Sequence, residues 1–292
     1  MCATPQPVNA LTIDVEDWYQ LANRKLLGNA VPASEHVVED TYRVLDLLAG
    51  HGTRATFFVV GAVAEQFPAM VCRIAAEGHE VATHGYNHIQ AKCIGPRAFA
   101  EDLKRSIQVL EDIVQQPIFG HRAAEFSLDG YSLWALEVMA AAGIRYDSSV
   151  FPIRYWRYGI SNASRYPYQV HTPSGTLTEF PLATWRVLGQ NVPVAGGGYA
   201  RILPLAPVQN GIRELNRAGQ PAVLYFHTYD LEDQRLDLPV PEVTILRQAR
   251  LRLRAVLRNW GHGAATRAKL GKLVQSFPFA PLREVWMYAV KG

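Results

Sequence analysis

The 292-residue sequence has little cysteine. Cys2, Cys72 and Cys93 form an odd set without metal-ligand spacing, which points to reduced thiols in a cytosolic protein rather than a disulfide framework. It also lacks any apolar run approaching the ~18–20 residues of a membrane span. Met1 to Asn9 shows no positive start followed by an apolar stretch, so no secretory signal is read and a cytoplasmic location is expected. Charge of one sign is scarce too: 29 basic against 26 acidic residues leave a formal +3, too small a bias to predict a nucleic-acid partner. No internal repeat and no low-complexity tract is evident. The run Gly196-Gly197-Gly198 does not match a phosphate-binding signature, so no nucleotide is expected.

What is present is an ordinary globular composition, 49% hydrophobic and 19% charged, arranged as alternating strands and helices. Leu11 to Asp14, Ala55 to Val60 and His79 to Thr83 read as buried parallel strands. Glu35 to Leu48, Pro68 to Glu77, Pro96 to Gln115 and Tyr131 to Ala142 read as helices between and after them. Ile118 to Gly120, Ile144 to Tyr146 and Ala222 to Phe226 supply further strands. Reactive side chains stand where strands stop: Asp14, His84, Arg122, Asp147 and His227. Five strand ends contributing to one face favour an α/β barrel, with its site at the carboxyl ends, over an open doubly wound sheet. A single domain over 1–292 is expected. A long insertion at about 151–207 is placed over the barrel mouth, and a C-terminal helical segment at about 242–292.

Two groups carry the chemistry. His84 and His88 stand four apart after a strand, and neutral imidazoles suit zinc and other late first-row divalents. Asp14, Glu16 and Asp17 crowd three carboxylates into four residues, which is costly unless a cation neutralises some of them. One of these acids can complete a three-ligand metal site while another stays free as a general base. Histidines on a polar loop and an acidic helix cap are the bland alternatives, and they weaken when both groups sit at strand ends.

Asp14, His84-Gly85-Tyr86-Asn87-His88 and Gly120-His121-Arg122 resemble motifs of the polysaccharide deacetylase (NodB homology) family of carbohydrate esterases. Tyr146-Asp147-Ser148-Ser149, Gly196 to Arg201 and Phe277-Pro278-Phe279 resemble the subgroup associated with exosortase and exopolysaccharide gene clusters. The resemblance covers essentially the whole chain. It implies a distorted (β/α) barrel, a divalent metal with zinc favoured, and removal of N-acetyl groups from a glycan. Matched by position, Asp14 is the base, His84 and His88 are metal ligands, Arg122 holds the base, His227 is the general acid and Asp147 supports the arginine or the site. The family's two adjacent aspartates are broken here by Val15, so the metal carboxylate is expected from Asp17, with Glu16 as the alternative. Ala124 stands where the family commonly has proline. O-acetyl ester or ring-amide hydrolysis, or glycan binding at an inactive site, are the competing functions.

Trp18, Tyr155, Trp156, Trp185 and Tyr199 are candidate platforms for sugar rings. The stretch Thr244 to Leu273 interleaves basic residues, among them Arg247, Arg250, Arg254, Arg267 and Lys269, with apolar ones. Such a helix can lie against an anionic inner-membrane surface, where a lipid-linked glycan precursor would be met.

Overall fold

The computed structural model describes residues 7–28, 30–155, 157–233 and 263–291. Its centre is a curled, mostly parallel sheet. Strands β1 (Asn9–Val15), β2 (Thr56–Val59), β3 (Glu80–Thr83), β4 (Gly120–His121) and β5 (Tyr146–Asp147) follow one another in space as in sequence. On one side β5 pairs in parallel with β7 (Gly175–Glu179), which carries β6 (Tyr168–Thr172) antiparallel at the edge. On the other, β1 pairs with β10 (Val223–His227), and the short β11 (Phe279–Ala280) pairs with the start of β1. Every residue of β1 and β2 is buried; Leu11, Ile13 and Val15 make one face of β1 apolar, while Thr12 and Asp14 lie on the other.

The gap between β5 and β10 is bridged by chain that is not regular strand. Phe180 N donates to Asp147 O (2.8 Å), Leu182 N to Val150 O (3.0 Å) and Ala183 N to Val223 O (3.1 Å). The segment expected as an insertion is therefore partly sheet: β7 is a barrel strand, and residues 180–183 carry the closure. Among the described residues, only the antiparallel pair β8 (Thr184–Val187) and β9 (Gln190–Pro193) forms a separate sheet. Beyond it, Tyr225 N donates to Ala195 O (2.8 Å) and Gly196 bridges to Tyr225. A Cβ at Gly196 would stand 1.8 Å from Tyr225 O, so only glycine lets this backbone lie against β10.

Helices cover the outside. Helix α1 (Trp18–Leu27) follows β1, and α2 (His36–Gly50) turns Val37, Val44, Leu45 and Leu48 into the core. Next come α3 (Gly61–Gln66), α4 (Pro68–Ala76) and α5 (Ala91–Val114). Helix α5 is broken at Gly95 (φ 75°), so its regular part begins at Pro96, as the sequence indicates. After α6 (Trp134–Ala141), α7 (Gly197–Ile202) packs beside β10 and α8 (Leu205–Arg217) against β8, followed by α9 (Ala264–Ser276) and α10 (Leu282–Lys291). Among the described residues no helix is long and apolar enough to cross a membrane. Most of the basic stretch, including Arg247, Arg250 and Arg254, lies outside the described residues. Of its remainder, Arg267 donates to Leu231 O and pairs with Asp233, while Lys269 donates to the carbonyls of Ala200, Arg201 and Leu203. These two cations serve the fold.

Candidate metal and catalytic centre

The register of the central strands assembles the site. Asp14 stands opposite both His227 on β10 and Phe58 on β2, and Thr83 stands opposite His121. Side chains two apart on a strand share a face, so Thr12 and Asp14 point into the barrel and Glu16, just past the strand end, follows them. Asp17 falls on the other side. Its Oδ1 accepts from Tyr19 N (2.9 Å) as the N-cap of α1, and its Oδ2 accepts from Ser34 N (2.5 Å). The expected metal carboxylate, Asp17, is thereby corrected: it is a helix cap, and Glu16 is the acid that meets the histidines.

Glu16, His84 and His88 are all buried, and their donor atoms lie within 4.8 Å of one another. Glu16 Oε2 is 2.6 Å from His88 Nε2 and 3.9 Å from His84 Nε2. His84 Nδ1 lies 2.7 Å from the carbonyl oxygen of Arg122. A carbonyl can only accept, so Nδ1 carries the proton and Nε2 keeps its lone pair for the cluster, the usual arrangement behind a metal-ligating imidazole. Burial drives the His84 pKa down to about 4, against the pull of Asp14 and Glu16, so the ring is neutral at pH 7. Burial alone would raise Glu16, but His88, His227 and His84 hold it well below the usual carboxylate range. His88 adopts φ 52°, a left-handed conformation that a non-glycine residue holds only when its surroundings insist. Arg24 of α1 supplies that restraint, donating to the carbonyls of Asn87 and His88. One carboxylate and two imidazoles, buried and converging, fit a divalent cation such as zinc.

Beside this cluster lies a buried ion pair. Arg122 Nη1 donates to Asp14 Oδ1 (2.7 Å) and to Thr12 Oγ1 (2.8 Å). Its Nε donates to Ser148 O and its Nη2 to Ser148 Oγ, both at 2.9 Å, while the guanidinium lies 4.2 Å from the centre of the Phe58 ring. Asp147 does not touch Arg122. It accepts from His121 Nδ1 and Ser149 Oγ, both at 2.7 Å, and Ser149 Oγ also accepts from Ala123 N. Its support is one step removed, through the segment that carries the arginine. Burial opposes the ionised form of Asp147, yet His121 and Ser149 lower its pKa, while burial and the Asp147 charge push Glu179 up.

His227 completes the set, its Nε2 3.4 Å from Glu16 Oε1. Its Nδ1 and its backbone N–H each lie 2.9 Å from Asp230 Oδ2. Burial pulls the His227 pKa down, but Asp230, Glu16 and Asp14 outweigh it and raise the pKa overall. Asp230 and Tyr229 were not singled out from the sequence. The signal was an acid three residues after a strand-ending histidine, which makes the turn Thr228–Leu231 a capping box. Of the candidate aromatics, Trp18 lies nearest the acids, 5.9 Å from the Tyr229 ring. Tyr155 is exposed, Trp185 and Tyr199 pack against the core, and Trp156 lies outside the described residues.

Residues 4–146 match the family described as Polysaccharide deacetylase, and residues 148–287 match a domain of unknown function (DUF3473). Curated relatives include a chitooligosaccharide deacetylase of Sinorhizobium fredii, 46% identical over 71 residues (24% of this chain, 30% of that protein). A chitooligosaccharide deacetylase of Rhizobium leguminosarum bv. trifolii is 32% identical over 108 residues (36% of this chain, 47% of that protein). The chain thus spans less than half the length of these relatives. In fold it is similar to a probable polysaccharide deacetylase from Pseudomonas aeruginosa PAO1, with a TM-score of 0.60 at 14% identity over 97% of this chain and 93% of that one. The distorted (β/α) barrel expected from the sequence agrees with this likeness, and through residues 4–146 the chain belongs to the polysaccharide deacetylase family.

Proposed function

We propose that this protein is a metal-dependent hydrolase that removes N-acetyl groups from a polysaccharide or a lipid-linked glycan precursor, in an exopolysaccharide pathway. The observation that carries the reading is the convergence of Glu16, His84 and His88 beside two separate proton-handling pairs, Asp14 with Arg122 and His227 with Asp230. A glycan-binding module has no use for both pairs.

Glu16, His84 and His88 would hold the cation, with zinc favoured. When bound, a divalent cation supplies Lewis acidity for cleavage of an acyl bond. Asp14 takes the proton of the attacking water. Arg122, buried and hydrogen-bonded to Thr12 and Ser148 as well as to Asp14, keeps that carboxylate aimed. His227 delivers a proton from Nε2 to the departing nitrogen, so that an amine rather than an amide anion leaves. Asp230 fixes the opposite nitrogen and favours the charged, proton-donating ring. Each positioned acid or base contributes about 10²–10⁴-fold. Among the described candidates, Trp18 and Tyr155 would meet a sugar ring. The glycan would be met in the cytoplasm or at the inner-membrane surface.

The test is acetate release from N-acetylglucosamine oligomers by zinc-loaded protein. Wild type should release acetate, whereas Asp14→Asn and His84→Ala should each lose at least about two orders of magnitude. Full activity in either variant would remove the mechanism.

A further inference from the structure

Glu16 belongs to no regular element. It stands one residue beyond β1 on a side chain with one more rotatable bond than the aspartate that the family pattern offers. Holding such a carboxylate toward two imidazoles costs rotamer entropy, and something must fix it. Its two oxygens have different neighbours. Oε2 faces the imidazoles, 2.6 Å from His88 Nε2 and 3.9 Å from His84 Nε2. Oε1 accepts a hydrogen bond from the Tyr229 hydroxyl at 2.8 Å. Tyr229 is itself immobilised: it is 3% exposed, and its ring stacks on His227 with centroids 4.7 Å apart and planes 9° apart. The turn that carries it starts at the end of β10, the strand directly beside β1, and is anchored by Asp230 on the His227 backbone.

We propose that Tyr229 is a positioning residue for the metal carboxylate, its hydroxyl holding Glu16 Oε1 so that Oε2 is presented to His84 and His88. A phenol suits this task because it donates a single hydrogen bond without bringing a positive charge near a cation site. It also ties the metal carboxylate to the His227 ring, since one aromatic side chain stacks on the one and bonds the other. Tyr229 thus lets the part of the chain beyond residue 148, which also brings His227 Nε2 to 3.4 Å from the same oxygen, shape a ligand set supplied entirely by the part before it.

The inference rests on the metal reading above, so the experiment measures metal binding itself. Zinc affinity of the full chain is determined at pH 7 by competition with a chromogenic chelator for wild type, Tyr229→Phe and Trp18→Phe, with the melting temperature of each metal-free protein. Tyr229→Phe removes one oxygen and keeps the ring. Its zinc Kd should rise about 10–100-fold, the usual cost of losing a partner behind a metal ligand, with the metal-free melting temperature unchanged. Trp18→Phe, which alters the packing around the ring and leaves the hydroxyl in place, should stay within about threefold of wild type on the same scale. A Tyr229→Phe Kd within about threefold of wild type would overturn the inference while leaving the metal reading intact. So would a lowered melting temperature with unchanged Kd, the signature of a packing role. Failure of wild type to bind zinc would remove both.

Discussion

Replacing Arg122 with alanine should cost more stability than any other single change at the site, and the structure says where the cost falls. The guanidinium is fully buried and donates four hydrogen bonds, to Asp14, Thr12 and, twice, Ser148. Two of the acceptors keep other partners when it is removed: Thr12 Oγ1 donates to Leu224 O, and Ser148 Oγ donates to Phe180 O. Asp14, 2% exposed, is the group left as a buried charge without its counter-ion. Breaking a buried pair this way costs about 3–5 kcal/mol, a large part of the ~5–15 kcal/mol that domains possess. Because the cost is the stranded carboxylate, Asp14→Asn placed in the Arg122→Ala background should restore part of the loss. Urea unfolding of metal-free protein, with the slope checked for two-state behaviour, reads both variants. An Arg122→Ala loss below about 1 kcal/mol, the worth of an exposed pair, would refute the reasoning. So would a double variant less stable than the single one.

Two further predictions concern pH. Asp230 is the largest of the influences that raise the His227 pKa. The stability from the charged ring is fully present below the unfolded value of about 6.5 and is lost as pH rises through the raised folded value. Asp230→Asn should therefore move the alkaline limb of kcat/KM to lower pH. An unmoved limb would show that Asp230 does not set the proton affinity of His227. Away from the site, burial and neighbouring Glu232 push Asp40 up to about 8 despite its 2.5 Å contact with Arg43. Its unfolded value is about 3.9, so the fold favours the protonated form and stability should fall as pH rises between these limits. Asp40→Asn should flatten that slope in urea midpoints measured from pH 4.5 to 8, and a slope equal to wild type would contradict it.

Much of this was legible in the sequence because the strands are short, apolar and end in chemistry. β1 to β3 and the carboxyl-end location of Asp14, His84, Arg122 and His227 follow from that pattern alone. The structure turns Glu16 rather than the expected Asp17 toward the histidines, and strand periodicity accounts for the difference. Residues 12, 14 and 16 share a face, and Asp17 had the position of an N-cap before Trp18. β7 was hidden inside a proline- and glycine-rich stretch whose irregular backbone closes the barrel without a helix to mark the crossover. Asp230 and Arg24 were illegible for a different reason. Each acts through a carbonyl, a backbone N–H or the far side of a ring, and such contacts leave only weak spacing signals.

The central claim is that Glu16, His84 and His88 hold a divalent metal on which glycan deacetylation depends. Its most direct test is acetate release from N-acetylglucosamine oligomers by chelator-stripped protein as zinc is added back, compared among wild type, Glu16→Ala and Asp17→Ala. The account predicts that activity returns in wild type and in Asp17→Ala, which loses only a helix cap worth about 1 kcal/mol, and that Glu16→Ala stays inactive. Recovery in Glu16→Ala together with none in Asp17→Ala would contradict it.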